Sequence, residues 1–102
     1  MNQLITTHLP ELEHLCQLYN VHKLELFGSA AKSLNESEVG DLDFLVDFAD
    51  LKQGSYAETY FGLLESLQQL FDKPVDLVMR SAVRNPYLLQ SINKSRTTLY
   101  AA

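Results

Sequence analysis

The sequence predicts an α/β fold of two layers, a small mixed sheet with helices packed mainly on one face. Two observations carry that expectation. Residues 41–48 alternate, with Leu42, Phe44, Val46 and Phe48 on one side and Asp41, Asp43, Leu45 and Asp47 on the other. That is the two-residue period of a strand with one apolar face. Stretches with the 3.6-residue period of helices precede the first strand, separate the second from the third and follow the third, so strands and helices interleave along the chain.

The elements follow in order. Leu9, Leu12, Leu15, Cys16 and Tyr19 recur at helical spacing, Pro10 suits a first turn, and Asn20 marks a stop. Lys23 to Phe27 predicts a short strand ending at Gly28, and Ser29 to Ser33 a brief helix. Leu34 to Gly40 is a polar loop before the alternating strand, and Asp50 to Gly54 a turn after it. A long helix then opens with Ser55 as a cap and Glu58 at the capping-box position. Tyr56, Tyr60, Leu63, Leu64, Leu67, Leu70 and Phe71 form its apolar face. Lys73-Pro74 breaks that helix, and Val75 to Met79 is a third strand with Asp76 on its non-apolar side. A last helix after Pro86 is expected to use Leu88, Leu89, Ile92, Leu99 and Tyr100. The helices should cover the common apolar face of the strands and leave the other face for chemistry.

Composition narrows the function. A chain of 102 residues with 46% hydrophobic content fits one domain, residues 1–102. Cys16, the single cysteine, cannot form an internal disulfide and reads as a small core residue of a protein in a reducing compartment. The first residues show no secretion signal, and no stretch is apolar enough for a membrane span, so the expected location is the cytoplasm. Net charge is −5, from eight Lys+Arg against 13 Asp+Glu, which disfavours direct binding of nucleic acid by its backbone. A nucleotide remains compatible, because divalent cations can neutralise its phosphates on an acidic site.

Asp41 and Asp43 are two residues apart on one strand face, with Cα atoms roughly 6.6 Å apart. Such a pair can serve two hard cations ~3.5–4 Å apart, and Asp76 could complete the cluster if the strands are neighbours. On its own an Asp-x-Asp is commonly a solvated strand face, and Gly28-Ser29 a simple turn. The glycine nevertheless permits close backbone approach, and Ser29 adds a hydroxyl donor for a phosphate. His8, His14 and His22 lack compact metal-ligand spacing. Arg80, Arg84, Lys94 and Arg96 follow the third strand, and Arg80 shares the expected face of Asp76, within possible reach of a phosphate. The sequence contains no Walker-type loop, cysteine pair or serine-hydrolase elbow.

Taken together, Phe27-Gly28-Ser29-Ala30-Ala31-Lys32, then Gly40-Asp41-Leu42-Asp43-Phe44-Leu45-Val46, then Val75-Asp76-Leu77-Val78 resemble the polymerase-β-type nucleotidyltransferase superfamily. The resemblance is nearest to its stand-alone minimal members in prokaryotes and runs from about Leu24 to Met79. It implies that Gly28 and Ser29 grip the triphosphate of ATP, and that Asp41, Asp43 and Asp76 hold two Mg²⁺ ions. It also gives Asp76 a role in activating the attacking hydroxyl. Lys32 stands where the family more often has arginine, a point charge in place of a bidentate fork. Gly40 stands where serine is frequent, and the spacer from Ser29 to Asp41 is slightly longer than in close relatives.

Proteins resembling this one act as antitoxins that adenylylate a tyrosine of a HEPN-type RNase toxin, so a cognate toxin is the implied acceptor. Two other readings stay open. One is a binding module that neutralises its partner by steric occlusion, with a silent nucleotide site. The other is a nucleic-acid-tailing enzyme, which the acidic balance disfavours.

Overall fold

Two central strands, one ending and the other beginning at the same edge of the sheet, organise the molecule. The structure, a computed structural model, describes residues 3–32, 40–51 and 54–102. Its elements are α1 (Gln3–Thr7), α2 (Leu9–Leu18), β1 (Val21–Phe27), α3 (Ser29–Lys32), β2 (Leu42–Phe48), α4 (Tyr56–Phe71), β3 (Val75–Met79), α5 (Pro86–Ser95) and β4 (Thr97–Ala101). The strands form one mixed sheet in the order β3-β2-β1-β4, with β1 antiparallel to both β2 and β4, and β2 parallel to β3. The parallel pair requires a long crossover, which α4 supplies.

One face of the sheet carries the main core. Leu24 and Leu26 of β1, Leu42, Phe44 and Val46 of β2, and Val75 and Leu77 of β3 are buried there with Leu12 and Cys16 of α2 and Leu63, Leu67 and Phe71 of α4. Phe44 and Phe71 stack with centroids 5.9 Å apart. Helices α2 and α4 approach closely because residue 62 is glycine: a Cβ there would come within 2.6 Å of the Tyr19 ring, whose hydroxyl hydrogen-bonds Ser66 Oγ at 3.0 Å. Burial, and secondarily Glu13, pushes the Cys16 thiol up to about 12, so it is an inert core residue.

The other face is not left bare. Phe27, Leu45 and Ile92 form a second buried cluster, flanked by Val78 and Val83, so α5 lies over the middle of that face. The physical reason is the apolar character of Leu45 and Val78 at the same strand parity as the aspartates. Helix α5 starts as expected, with Pro86 in its first turn and the Asn85 side chain accepting from the Tyr87 and Leu88 amides.

Three local expectations change. Leu99 and Tyr100 belong to strand β4, not to the last helix. The chain turns extended at Arg96, and Thr97, Thr98 and Tyr100 suit an edge strand paired with β1. Ser55 makes no capping hydrogen bond, because its own backbone is already helical (φ −92°, ψ −8°). Tyr56, placed on the apolar face of α4, is exposed. The expected polar loop lies outside the described residues except for Gly40, as do Ser33 and part of the turn before Gly54.

Candidate active site

Asp43 is the second residue of β2, and the strand register sets its neighbours. It lies opposite Phe27 of β1 on one side and opposite Asp76 of β3 on the other. In-register partners on adjacent strands are about 4.8 Å apart and point to the same face. Two carboxylates separated by more than thirty positions in the sequence are thereby neighbours. Asp41 sits just before β2 and is exposed, as is Asp76, whereas Asp43 is half-buried. Burial, then Asp76, then Asp41 raise the Asp43 carboxyl above its ordinary value. All three causes disfavour a negative charge at Asp43, and two of them are the other aspartates.

Gly28 closes the site from β1. Its φ of +74° lies in the left-handed region, and a Cβ at this position would meet Asp43 Oδ2 at 2.6 Å. Any other residue would therefore suffer strain and displace the central carboxylate. The Gly28 carbonyl accepts from the Ala31 amide at 3.2 Å as the chain enters α3. Ser29 and Lys32, the first and last residues of α3, are exposed. The sequence thus identifies a set that the fold gathers at one edge of the sheet: Gly28 and Ser29 at the end of β1, Asp41 and Asp43 at the start of β2, and Asp76 at the start of β3.

The donor chemistry fits a divalent cation, since carboxylate oxygens are the hard ligands that Mg²⁺ takes. Among the described residues, no group of three or more His, Cys, Asp or Glu side chains stands gathered closely enough to hold a metal ion as positioned. Asp41, Asp43 and Asp76 fit such an ion by donor chemistry; strand register makes Asp43 and Asp76 neighbours, and Asp41 lies two residues before Asp43.

The opposite end of the same face is built differently. Lys23, Glu25, Leu45, Asp47, Arg80 and Arg96 line a cavity of about 170 Å³ there. Glu25 is the one buried charged side chain among the described residues. Arg96 Nε donates to Glu25 Oε2 at 2.9 Å and Arg96 Nη2 to Oε1 at 2.6 Å, and Lys23 Nζ is 3.8 Å from Oε1. The Arg96 hydrogen bonds hold the Glu25 carboxyl below its usual range, against the opposing effect of burial. Arg80, expected on the strand face of Asp76, instead opens a short 3-10 turn just past β3, and it lines this cavity with Glu25, four residues and ~13 Å by strand rise beyond Asp76.

Sequence reasoning did not find Ser95. Its Oγ accepts the Gly28 N–H at 2.8 Å from the last position of α5. No local pattern could reveal a contact spanning 67 positions.

Residues 12–99 match the family model described as a nucleotidyltransferase domain. The chain belongs to the nucleotidyltransferase family. Two Methanocaldococcus jannaschii proteins named as protein adenylyltransferases are similar to it. One is 34% identical over 76 residues, 74% of each chain; the other is 28% identical over 97 residues, 92% of this chain and 89% of that one. Among solved structures, a minimal nucleotidyltransferase superposes with a TM-score of 0.71 at 22% identity, covering 95% of both chains. The complex of a tri-AMPylated Shewanella oneidensis HEPN toxin with its MNT antitoxin gives 0.66 at 20% identity, covering 96% of this chain and 73% of the matched one. A toxin–antitoxin complex with AMP-PNP gives 0.67 at 21% identity, covering 92% and 73%. At these identities the structures establish the nucleotidyltransferase fold. No helix in the described residues of this family member is long and apolar enough to cross a membrane.

Proposed function

We propose that this chain is a Mg²⁺-dependent protein adenylyltransferase that moves AMP from ATP to a hydroxyl, with tyrosine the first choice, of a cognate HEPN-type toxin, and so acts as an antitoxin in the cytoplasm. The observation that carries the reading is the in-register neighbourhood of Asp43 and Asp76 beside the left-handed Gly28. The names of its relatives and the toxin complexes among its structural neighbours support the choice of acceptor.

In this mechanism the Gly28–Ser29 turn receives the triphosphate, with the Ser29 hydroxyl and backbone amide as donors. Lys32, exposed on α3, adds a positive charge on that side. Asp41, Asp43 and Asp76 would hold two Mg²⁺ ions, which when bound neutralise phosphate charge and stabilise the attacking and leaving oxygens. The acceptor oxygen attacks the α-phosphorus as the bond to the bridging oxygen breaks. Pyrophosphate leaves, and Asp76, exposed beside Asp43, takes the hydroxyl proton. The clash of a side chain at residue 28 with Asp43 explains why the turn and the carboxylates form one unit.

The test is incubation of the chain with its cognate toxin, ATP and Mg²⁺, followed by intact-protein mass spectrometry. The expected result is addition of one or more AMP units to the toxin, abolished by EDTA. An unmodified toxin alongside labelled RNA would sink the choice of acceptor. A toxin that is inhibited yet unmodified would replace transfer with steric occlusion.

A further inference from the structure

The phosphate-side turn is held by a residue from the far end of the chain. Gly28 N–H donates to Ser95 Oγ, and the very next residue, Arg96, clasps the buried Glu25 through two hydrogen bonds. Glu25 lies three residues before Gly28 on β1, so the Ser95-Arg96 dipeptide grips that strand and its turn at two points. The clasp is itself braced. Arg96 Nη1 donates to Asn93 Oδ1 at 2.8 Å, and Ile92, one turn earlier in α5, is fully buried against Phe27 and Leu45. Ile92 and Arg96 anchor the helix end to the sheet, and Ser95 hydrogen-bonds the turn.

We propose that Ser95 is a positioning residue for nucleotide binding. By accepting the Gly28 amide hydrogen, its hydroxyl oxygen sets the Gly28–Ser29 turn in the conformation that receives a nucleoside triphosphate. The inference rests on the adenylyltransferase reading above and adds a residue to it. Gly28 adopts a φ of +74°, and glycine has the widest choice of alternative backbone states, so a fixed conformation there needs an external hold. The hydrogen bond is also partly buried, where loss of the acceptor leaves a donor poorly compensated by water. Ser95 does not touch the reacting atoms in this scheme; it acts through Gly28.

The experiment uses the whole chain, with Ser95→Ala, Ser95→Cys and Ser95→Thr compared with the parent. Three quantities are read: amide hydrogen exchange at Gly28, affinity for ATP with Mg²⁺ by calorimetry, and the split between KM for ATP and kcat. Ser95→Ala should speed Gly28 exchange and weaken ATP binding about fivefold, the value of one modest hydrogen bond, with the loss in KM more than in kcat. Ser95→Cys keeps the size of serine with a poor acceptor and should follow alanine. Ser95→Thr keeps the hydroxyl and should restore both exchange and affinity. ATP affinity and KM unchanged in alanine and cysteine variants of a binding-competent parent would overturn the role of Ser95 and leave the enzyme reading standing. Failure of threonine to rescue would do the same. A parent that binds no ATP would overturn both. Should the alanine variant not fold, the cysteine–threonine contrast decides.

Discussion

The two ends of one sheet face carry the same chemical group in opposite circumstances. At the turn end, Asp43 meets two more carboxylates, and its proton is held more tightly than in water. At the other end, Glu25 is more deeply buried yet gives up its proton more readily, because Arg96 faces it with a planar fork. Burial alone would raise both groups. The difference is the partner: Glu25 has its counter-charge within the chain, whereas Asp43, on the function proposed above, takes one from a bound cation. The first belongs to the architecture, the second to the chemistry.

The sharpest way to break this comparison is Asp43→Asn. Transfer of AMP should fall on the order of 10³-fold, while the thermal midpoint holds or rises, because a repelled charge has been removed. A midpoint that drops with activity would make Asp43 a structural residue like Glu25. Arg96→Ala probes the other end. It leaves Glu25 buried without its main partner and should cost ~3 kcal/mol in urea unfolding, the low end for a broken buried pair since Arg96 is partly exposed. Stability within experimental error of the parent would show that the clasp contributes nothing.

The smallest effect is a difference in slope with pH, measured in EDTA. The folded carboxyl of Asp43 sits above its ordinary 3.8, so its contribution to stability is full below that value and is lost as pH rises through the folded value. Asp43→Asn should therefore gain on the parent across that rise and keep the gain, with parallel slopes, beyond it. Glu25 has the opposite sign. Its folded carboxyl lies below the ordinary 4.5, so its contribution is full above 4.5 and is lost as pH falls through the folded value. The cost of Glu25→Gln should accordingly shrink on acidification. Parallel slopes for the two variants would erase the distinction between the two ends.

How much of this was legible in the sequence depended on the distance over which each feature is specified. Strand β2 was plain, because its alternation is local and its buried residues Leu42, Phe44 and Val46 sit where the pattern put them. The grouping of Gly28, Ser29, Asp41, Asp43 and Asp76 at one edge was readable through motif order, but the register that sets Asp43 against Asp76 was not, since nothing local fixes it. Leu99 and Tyr100 read as helical because two apolar residues cannot distinguish the two periods; pairing with β1 decides for strand. Glu25 looked like an ordinary polar position of a half-exposed strand. Its partner is 71 positions away, beyond any window of periodicity. The capping box at Ser55 and Glu58 was a correct pattern that the backbone did not use.

The sheet order has a consequence for when the protein becomes competent. Asp43 and Asp76 meet only after the chain has traversed α4 and laid β3 parallel to β2, and Gly28 is fastened only once Ser95 has come home. Parallel pairing and contacts of such separation require the entropy of closing long loops before they return any stabilisation. A chain emerging from the ribosome can complete the β1–β2 hairpin early, but that hairpin holds only two of the three aspartates and an unfastened turn. The proposed catalytic arrangement is therefore among the last things folding makes, because it waits on both β3 and Ser95.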